Sequence, residues 1–296
     1  MDVFAAFIAP ALAGVFVGVM SGLLGVGGGT IMVPIFRLAF GMSPLASTAT
    51  SLFAIIPTSI SGVVAHTRAK TCVPRLGLAL GVGGAVMSPV GVWLASVSPG
   101  WLVICVAAVV IGFSAFKMFK KAVKCATAPR AGQADAARTA GPNAAESQTA
   151  CAGAASAHSA APKPVPDQPV LSRKQYLQGA CIGLVAGLAS GYVGVGGGFI
   201  MVPLMLAVLD IPMSLASGTS LIAIMILAIP GVIEQGLLGN IDYLAGIAIV
   251  VGSIPGALVG ARLVRVVPER QLRFIFGGFL LVAAVMLMLN EFGILG

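Results

Sequence analysis

Charged residues are scarce in this chain of 296 residues: Asp, Glu, Lys and Arg make up 9% of it, and 58% is hydrophobic. Soluble domains carry about 25% charged residues, so the composition predicts an integral membrane protein. Its apolar runs do not alternate with polar residues, as the strands of a membrane barrel do. They instead reach the roughly 20 residues that a spanning helix requires, which predicts an all-α, polytopic fold.

Carboxylates are absent from the middle of every predicted span, since Asp210, Glu234, Asp242 and Glu291 all lie at span ends. Intramembrane carboxylates carry the coupling ion in many pumps, so that mechanism has no evident carrier here. His66 could titrate, but its place at a loop edge predicts an interfacial residue. An anion leaving a negative cell interior needs no coupling ion, because each charge is worth about 2.3 kcal/mol per 100 mV.

Motifs for metal, nucleotide or catalytic chemistry are also missing. The five cysteines form no CxxC pair and have no companion histidine cluster, so neither a metal site nor a disulfide framework is expected. The glycine-rich stretches lack the Lys-Ser/Thr of a P-loop and the βαβ context of a dinucleotide site. We therefore expect no cofactor and no enzyme activity. The net charge of +8 reflects basic helix ends and a basic linker rather than nucleic-acid binding.

The chain contains an internal duplication, which is the strongest signal in it. The segment 21–34, SGLLGVGGGTIMVP, recurs 169 residues later at 190–203 as SGYVGVGGGFIMVP. The same offset relates a hydroxyl-rich cluster (Ser47, Thr48, Thr50 and Ser51) to a second one (Ser217, Thr219 and Ser220). The copies differ in places, with Phe199 where the first has Thr30, and Gly218 where the first has Ala49.

Each copy consists of long apolar spans and one short apolar piece that follows the glycine break. The long spans are predicted at about 3–24, 45–65, 76–96, 101–119, 176–194, 214–234, 243–263 and 273–290. The short pieces, 30–40 and 199–209, reach only about 16 Å as helices, too little to cross a membrane. We expect them to be half-helices or re-entrant segments.

A polar region separates the two copies. Residues 121–172 are rich in Ala, Pro, Ser and Gly and lack apolar periodicity, which predicts a disordered linker. The chain is therefore expected to divide into a first transmembrane repeat at 1–120, the linker at 121–172, and a second transmembrane repeat at 173–296.

The distribution of basic residues favours repeats of inverted topology. If the first long span of each copy and the short piece after it together return the chain to its starting side, 16 of the 17 Lys and Arg residues face inside and Arg37 faces outside. If the pair makes one net crossing, the four arginines at 262–273 join Arg37 outside, giving 12 against 5. The inverted arrangement puts the linker in the cytoplasm and both termini outside the inner membrane.

The glycine breaks are candidate anion sites, because a helix that begins inside a membrane presents unpaired N–H groups and the positive end of its dipole. Inverted repeats with broken helices are typical of secondary transporters. We expect both breaks to form one site, with hydroxyls as further donors: Gly27, Gly28, Gly29, Thr30, Thr50, Ser51, Gly196, Gly197, Gly198, Thr219 and Ser220. Two structural alternatives are that the glycines make a tight helix corner, and that the hydroxyls bond their own helix carbonyls.

These motifs resemble those of the TauE/SafE family of sulfite exporters and related permeases. The likeness rests on Gly-Leu-Leu-Gly-Val-Gly-Gly-Gly with Met-Val-Pro after it, on the second copy, and on the Ala-Thr-Ser-Leu type of segment that follows each. It covers about 7–120 and 175–290 but not the linker. It implies a transporter that exports a small sulfur-containing oxyanion, such as sulfite or an organosulfonate, with alternating access at the two breaks.

Three other functions stay open at this point: an anion channel, an importer or permease for another small organic anion, and a scaffold or sensor subunit that uses the linker as its partner contact. Saturable flux with trans-stimulation would separate a carrier from a channel. The expected partners are a small anionic substrate and the lipid bilayer, without nucleic acid. Whether the chain forms a homo-oligomer is left open.

Overall fold

The computed structural model describes residues 3–99, 173–193 and 196–291, with isolated positions between 102 and 112. All regular structure within these residues is α-helical. The helices are α1 (Val3–Leu24), α2 (Gly29–Phe40), α3 (Pro44–Arg68), α4 (Pro74–Val97), α5 (Arg173–Val193), α6 (Gly198–Val208), α7 (Met213–Leu237), α8 (Tyr243–Leu263) and α9 (Glu269–Glu291). The predicted linker at 121–172, nearly all of the predicted span at 101–119, and residues 194 and 195 of the second break lie outside the described residues.

Five helices are long and apolar enough to cross a membrane, namely α3, α4, α5, α7 and α8. Shorter apolar stretches lie within α1, α6 and α9, at Ile8–Leu24, Gly198–Val208 and Gln271–Val282. The helices begin and end within a few residues of the predicted spans. The prediction of an all-α, multi-pass membrane protein is therefore confirmed.

The two short helices begin directly after the glycine breaks, as the sequence predicts. α2 has 12 residues and α6 has 11, so neither reaches further than about 18 Å. The residues before them, Gly28 and Gly197, adopt the left-handed region with φ of 81° and 70°. A side chain is strained in this region and glycine is not, which explains why both copies place glycine there.

The first half of the chain (α1–α4) packs against the second half (α5–α9) through two extensive helix pairs. In one pair α1 packs against α8, and in the other α4 packs against α5. Gly14, Gly18 and Gly22 of α1 lie one turn apart and touch α8. A Cβ atom on any of them would overlap a carbonyl oxygen of α8, on Ile249, Ser253 and Ala257 respectively. The backbones can approach this closely only because these residues lack side chains.

The contact between α4 and α5 is the same contact with the halves exchanged. Gly183, Gly187 and Gly191 of α5 abut the carbonyl oxygens of three residues of α4, Leu80, Gly84 and Ser88. Each pair differs from its counterpart in the α1–α8 contact by the offset of the duplication. The spaced glycines therefore allow close backbone approach at both of these contacts between the halves.

Candidate functional site

The two glycine breaks meet at a pair of isoleucines, Ile55 of α3 and Ile224 of α7. A Cβ atom on Gly27 would lie 2.9 Å from a methyl carbon of Ile224 and 3.5 Å from one of Ile55. A Cβ atom on Gly196 would lie 2.9 Å from Ile55 and 3.6 Å from Ile224. Both isoleucines and both glycines are matched by the duplication. The structure thus brings together two breaks that are far apart in the sequence.

The start of α6 also lies against the backbone of the first break. A Cβ atom on Gly198 would be 2.8 Å from the carbonyl oxygen of Gly25 and 2.8 Å from the Cα of Val26. No larger residue fits at Gly198 without moving one of the two breaks. This contact fixes where the second short helix begins relative to the first.

Both short helices start at this meeting point without a side-chain cap. The amides of Ile31 and Met32 donate to the Gly28 carbonyl, each at 3.0 Å. At α6 the amides of Ile200 and Met201 donate to the Gly197 carbonyl at 3.1 and 3.0 Å. Of the amides before these, that of Gly198 donates to the Gly196 carbonyl at 2.9 Å, and the others have no carbonyl within their own helix. No acidic residue lies in either first turn. The positive ends of both helix dipoles are therefore uncompensated by these turns.

Thr50 and Thr219, two of the predicted site residues, lie at contacts between the halves. The Thr50 hydroxyl accepts a hydrogen bond from the amide of Asp242 at 3.0 Å, just before α8. The Thr219 hydroxyl accepts one from the amide of Val73 at 3.0 Å, just before α4. The geometry gives both hydroxyls a structural partner at the start of a helix in the other half.

Ser51 and Ser220 bond carbonyls of their own helices. Ser51 donates to the Thr48 carbonyl at 2.8 Å, and Ser220 donates to the Ser217 carbonyl at 2.8 Å. This is the pattern that the structural alternative predicts. Ser220 also lies 2.6 Å from the carbonyl oxygen of Gly25, so the two carbonyls share its single proton and Ser220 supports the backbone of the first break.

Four buried hydroxyls have no hydrogen-bond partner in the described part of the chain: Ser21, Thr30, Ser59 and Ser190. Thr30 is among the predicted site residues, and sequence reasoning missed the others. Ser21 and Ser190 are the first residues of the duplicated segment, so their matched positions were the signal that could have found them. We refer to these four groups as the unpartnered hydroxyls.

His66 is fully buried beside the first break, whereas the sequence predicts an interfacial residue. Its Nε2 is 2.8 Å from the Gly22 carbonyl oxygen, and its Nδ1 is 2.7 Å from the Thr71 hydroxyl. A carbonyl oxygen can only accept, so Nε2 carries the proton and donates to Gly22, while Nδ1 forms a hydrogen bond with the Thr71 hydroxyl. The matched residues of the second half, Gln235 and Asn240, bond each other at 2.8 Å.

No group of three His, Cys, Asp or Glu side chains in the described residues is placed to share a metal ion. The chemistry that the site offers is that of donors: helix amides, hydroxyl groups and the positive ends of two helices. Helix starts and hydroxyl groups of this kind generally suit groups with acceptor oxygens and negative charge.

Three relatives from Bacillus subtilis (strain 168) align over most of their length. "Probable membrane transporter protein YunE" is 25% identical, over 88% of this chain and 89% of the relative. "Probable membrane transporter protein YdhB" is 25% identical, over 86% of this chain and 89% of the relative. "Probable membrane transporter protein YjnA" is 24% identical, over 93% of this chain and 97% of the relative. Each is thus similar to this chain along both halves.

No solved structure matches the chain significantly. The family model described as "Sulfite exporter TauE/SafE" matches residues 10–287, which takes in all nine helices of the described part save a few terminal residues. With its duplicated glycine breaks, short helices and relatives described as membrane transporters, the chain belongs to the TauE/SafE family of membrane transporters.

Proposed function

We propose that the chain exports a small sulfur-containing oxyanion, such as sulfite or an organosulfonate, by alternating access at the two glycine breaks. The observation that carries the proposal is that Gly27 and Gly196 meet at Ile55 and Ile224, where both short helices begin. The family description as sulfite exporters supports the substrate class.

Electrostatics favour an anion at this point. Two helix starts without capping side chains or acidic first turns leave their positive ends to a ligand. Each helix end contributes about 0.3–1 kcal/mol to binding of a negative group, and up to about 2 kcal/mol in a partly buried geometry. The same positive helix ends would repel a cation, so the site disfavours cation binding.

The proposal includes inverted repeats related by a pseudo-twofold axis. Three features support this arrangement: the exchanged contacts of α1 with α8 and α4 with α5, the matched hydrogen bonds of Thr50 and Thr219, and the distribution of basic residues. In a bacterial-type inner membrane the linker then lies in the cytoplasm and both termini lie outside. Movement of one half relative to the other would expose the breaks to each side in turn.

The transported charge itself supplies the driving force in this proposal. Carboxylates are absent from the middle of the spans, and Glu234 lies near the end of α7. Export of an anion down a potential of 100 mV gains about 2.3 kcal/mol per charge. Coupling to protons or sodium is therefore not required.

The test is flux of sulfite, sulfate, thiosulfate and a small sulfonate in proteoliposomes, with and without an imposed potential and a pH gradient. We expect saturable, trans-stimulated flux of sulfite or the sulfonate that follows the potential alone. Unsaturable flux would indicate a channel, and flux that requires a cation gradient would contradict the uncoupled mechanism. Deletion of 121–172 is expected to leave flux intact, since the linker contributes no residue to the proposed site; loss of activity would favour the scaffold function.

A further inference from the structure

The unpartnered hydroxyls are anomalous because a buried donor without an acceptor destabilises a folded protein. Ser59 and Ser190 are fully buried, and Ser21 and Thr30 are 1% exposed. Other buried hydroxyls do find acceptors: Ser61 of α3 donates to the Thr58 carbonyl at 2.8 Å, and Ser220 of α7 lies within hydrogen-bond distance of two carbonyls. An unsatisfied group that persists in a core is explained when a ligand satisfies it.

The side chains of two of the residues with unpartnered hydroxyls, Ser21 and Ser190, lie beside the N-cap glycines of the short helices. A Cβ atom on Gly28 would be 3.6 Å from the Cβ of Ser21, and one on Gly197 would be 3.2 Å from the Cβ of Ser190. Ser21 and Ser190 are matched by the duplication. Each break therefore has a helix start and a buried hydroxyl at the same place.

The other two unpartnered hydroxyls belong to the first half alone. Thr30 is the second residue of α2, next to the helix amides that lack a partner within the helix. Ser59 lies one turn beyond Ile55 on α3, hence on the helix face that touches both breaks. The matched positions in the second half carry Phe199 and Ala228, which have no hydroxyl.

We propose that the hydroxyls of Ser21, Thr30, Ser59 and Ser190 donate hydrogen bonds to the oxygen atoms of the transported anion, with the first half supplying three of the four donors. This inference rests on the proposed transport function and deepens it. Several donors around the two breaks suit a ligand with several acceptor oxygens, as in the SO3 group of sulfite and sulfonates. A site whose buried donors need acceptors discriminates strongly against ligands that lack them.

Because the first half supplies three of the four donors, the site should favour a ligand whose two ends differ in polarity. The charged SO3 group is held mainly by the first half, and its remaining side faces the second half, where Phe199 and Ala228 replace the hydroxyl residues. An anion with one charged end and one less polar end fits this arrangement. A small organosulfonate is thus expected to bind more tightly than sulfate, which carries charge on all sides.

The experiment measures binding of sulfite, ethanesulfonate and sulfate to the purified full-length protein in nanodiscs by titration calorimetry. The variants are Ser21→Ala, Thr30→Val, Ser59→Ala and Ser190→Ala, and the control is Ser61→Ala, whose hydroxyl already has an acceptor. Each of the four is expected to raise the Kd about tenfold or more, since each removes a hydrogen bond to a charged group. The control is expected to bind as wild type.

Thermal unfolding of the unliganded variants separates a ligand role from a structural one. Removing an unsatisfied buried hydroxyl removes a destabilising group, so the Tm of Ser21→Ala and Thr30→Val without ligand should stay the same or rise. A fall in the unliganded Tm together with unchanged Kd would overturn the proposal. The double variant Ser21→Ala/Thr30→Val should lose more affinity than Ser190→Ala. Equal losses would overturn the proposal that the first half supplies more donors than the second.

Binding and transport by the wild-type protein distinguish failure of the proposed transport function from failure of the hydroxyl assignment. If wild type neither binds nor transports any of these oxyanions, the proposed function fails and the inference fails with it. If wild type transports them and the four variants bind like Ser61→Ala, the hydroxyl assignment fails while the transport function stands.

Discussion

The hydroxyl of Thr50 accepts a hydrogen bond from the amide of Asp242, 3.0 Å away, and so joins α3 of the first half to the start of α8 in the second. The exchanged contact joins Thr219 to the amide of Val73 at the same distance. Both residues were candidates for binding the anion because their positions are matched. Residues at matched positions can instead form hydrogen bonds that join the two halves, as these two threonines do.

We expect Thr50→Val and Thr219→Val to lower stability and to spare anion binding. Thr219→Val leaves the buried amide of Val73 without its acceptor, which costs about 1–3 kcal/mol. Thr50→Val removes the acceptor of the part-buried amide of Asp242, so its cost should lie toward the lower end of that range. Thr50→Ser and Thr219→Ser keep the hydroxyl and serve as controls. Thermal unfolding in detergent and binding by titration calorimetry are the measurements. A large rise in Kd with an unchanged Tm would instead place these hydroxyls on the substrate.

The glycine contacts between the halves make Gly18 and Gly187 intolerant of alanine. A Cβ atom on either would overlap a backbone carbonyl of the facing helix, on Ser253 or Gly84. Overpacking of this kind typically costs about 1–3 kcal/mol or more, so Gly18→Ala and Gly187→Ala should lower the Tm and the yield of folded protein.

The matched control for this pair is Gly278→Ala in α9, where an added Cβ meets nothing within 4 Å. This change should be neutral or stabilising by up to about 1 kcal/mol, because alanine is the better helix former. Equal Tm values for Gly18→Ala and Gly278→Ala would contradict the close approach of α1 and α8.

Leucine at the breaks should abolish transport and leave insertion into the membrane intact. Gly28 and Gly197 have φ of 81° and 70°, and an added Cβ would lie 2.8 Å from Val17 and 3.1 Å from the Ala186 carbonyl. Gly41→Leu provides a control with similar backbone strain, about 1–2 kcal/mol, at φ of 61° with nothing within 4 Å. Flux in proteoliposomes is the measurement, and normal flux in both break variants would refute the site.

Cysteine labelling tests the proposed orientation. Cys151 lies in the predicted linker, so a variant with Cys151 as its one cysteine should react with an impermeant maleimide in inside-out vesicles and not in right-side-out spheroplasts. The opposite pattern would overturn the inverted topology with a cytoplasmic linker.

Cys72, between α3 and α4, should resist the same reagent from either side. It is 2% exposed, and burial raises the pKa of its thiol. The thiolate is the reactive form, so a raised pKa leaves less of it at neutral pH and shifts the onset of labelling to higher pH. Labelling of the folded protein at pH 7, as fast as that of Cys151, would contradict this burial.

The sequence alone determined the membrane class, the helix positions and the duplication. These follow from local properties: apolar length defines a span, and consecutive glycines end one helix and start another wherever they stand. The predicted piece at 30–40 accordingly appears as α2, beginning one residue earlier at Gly29. The spacing of Gly14, Gly18 and Gly22 places them on one face of α1, but local spacing does not say which helix contacts that face.

Only the tertiary structure decided which polar groups are free to act. A hydroxyl in a helix looks the same in the sequence whether a backbone group of another helix lies opposite it or nothing does. Thr50 faces an amide of the other half, whereas Ser21 faces the first break without a partner in the described residues. His66 lies far from Gly22 in sequence and bonds its carbonyl. The partner of each group is set by the packing of helices distant in the chain, which local pattern cannot specify.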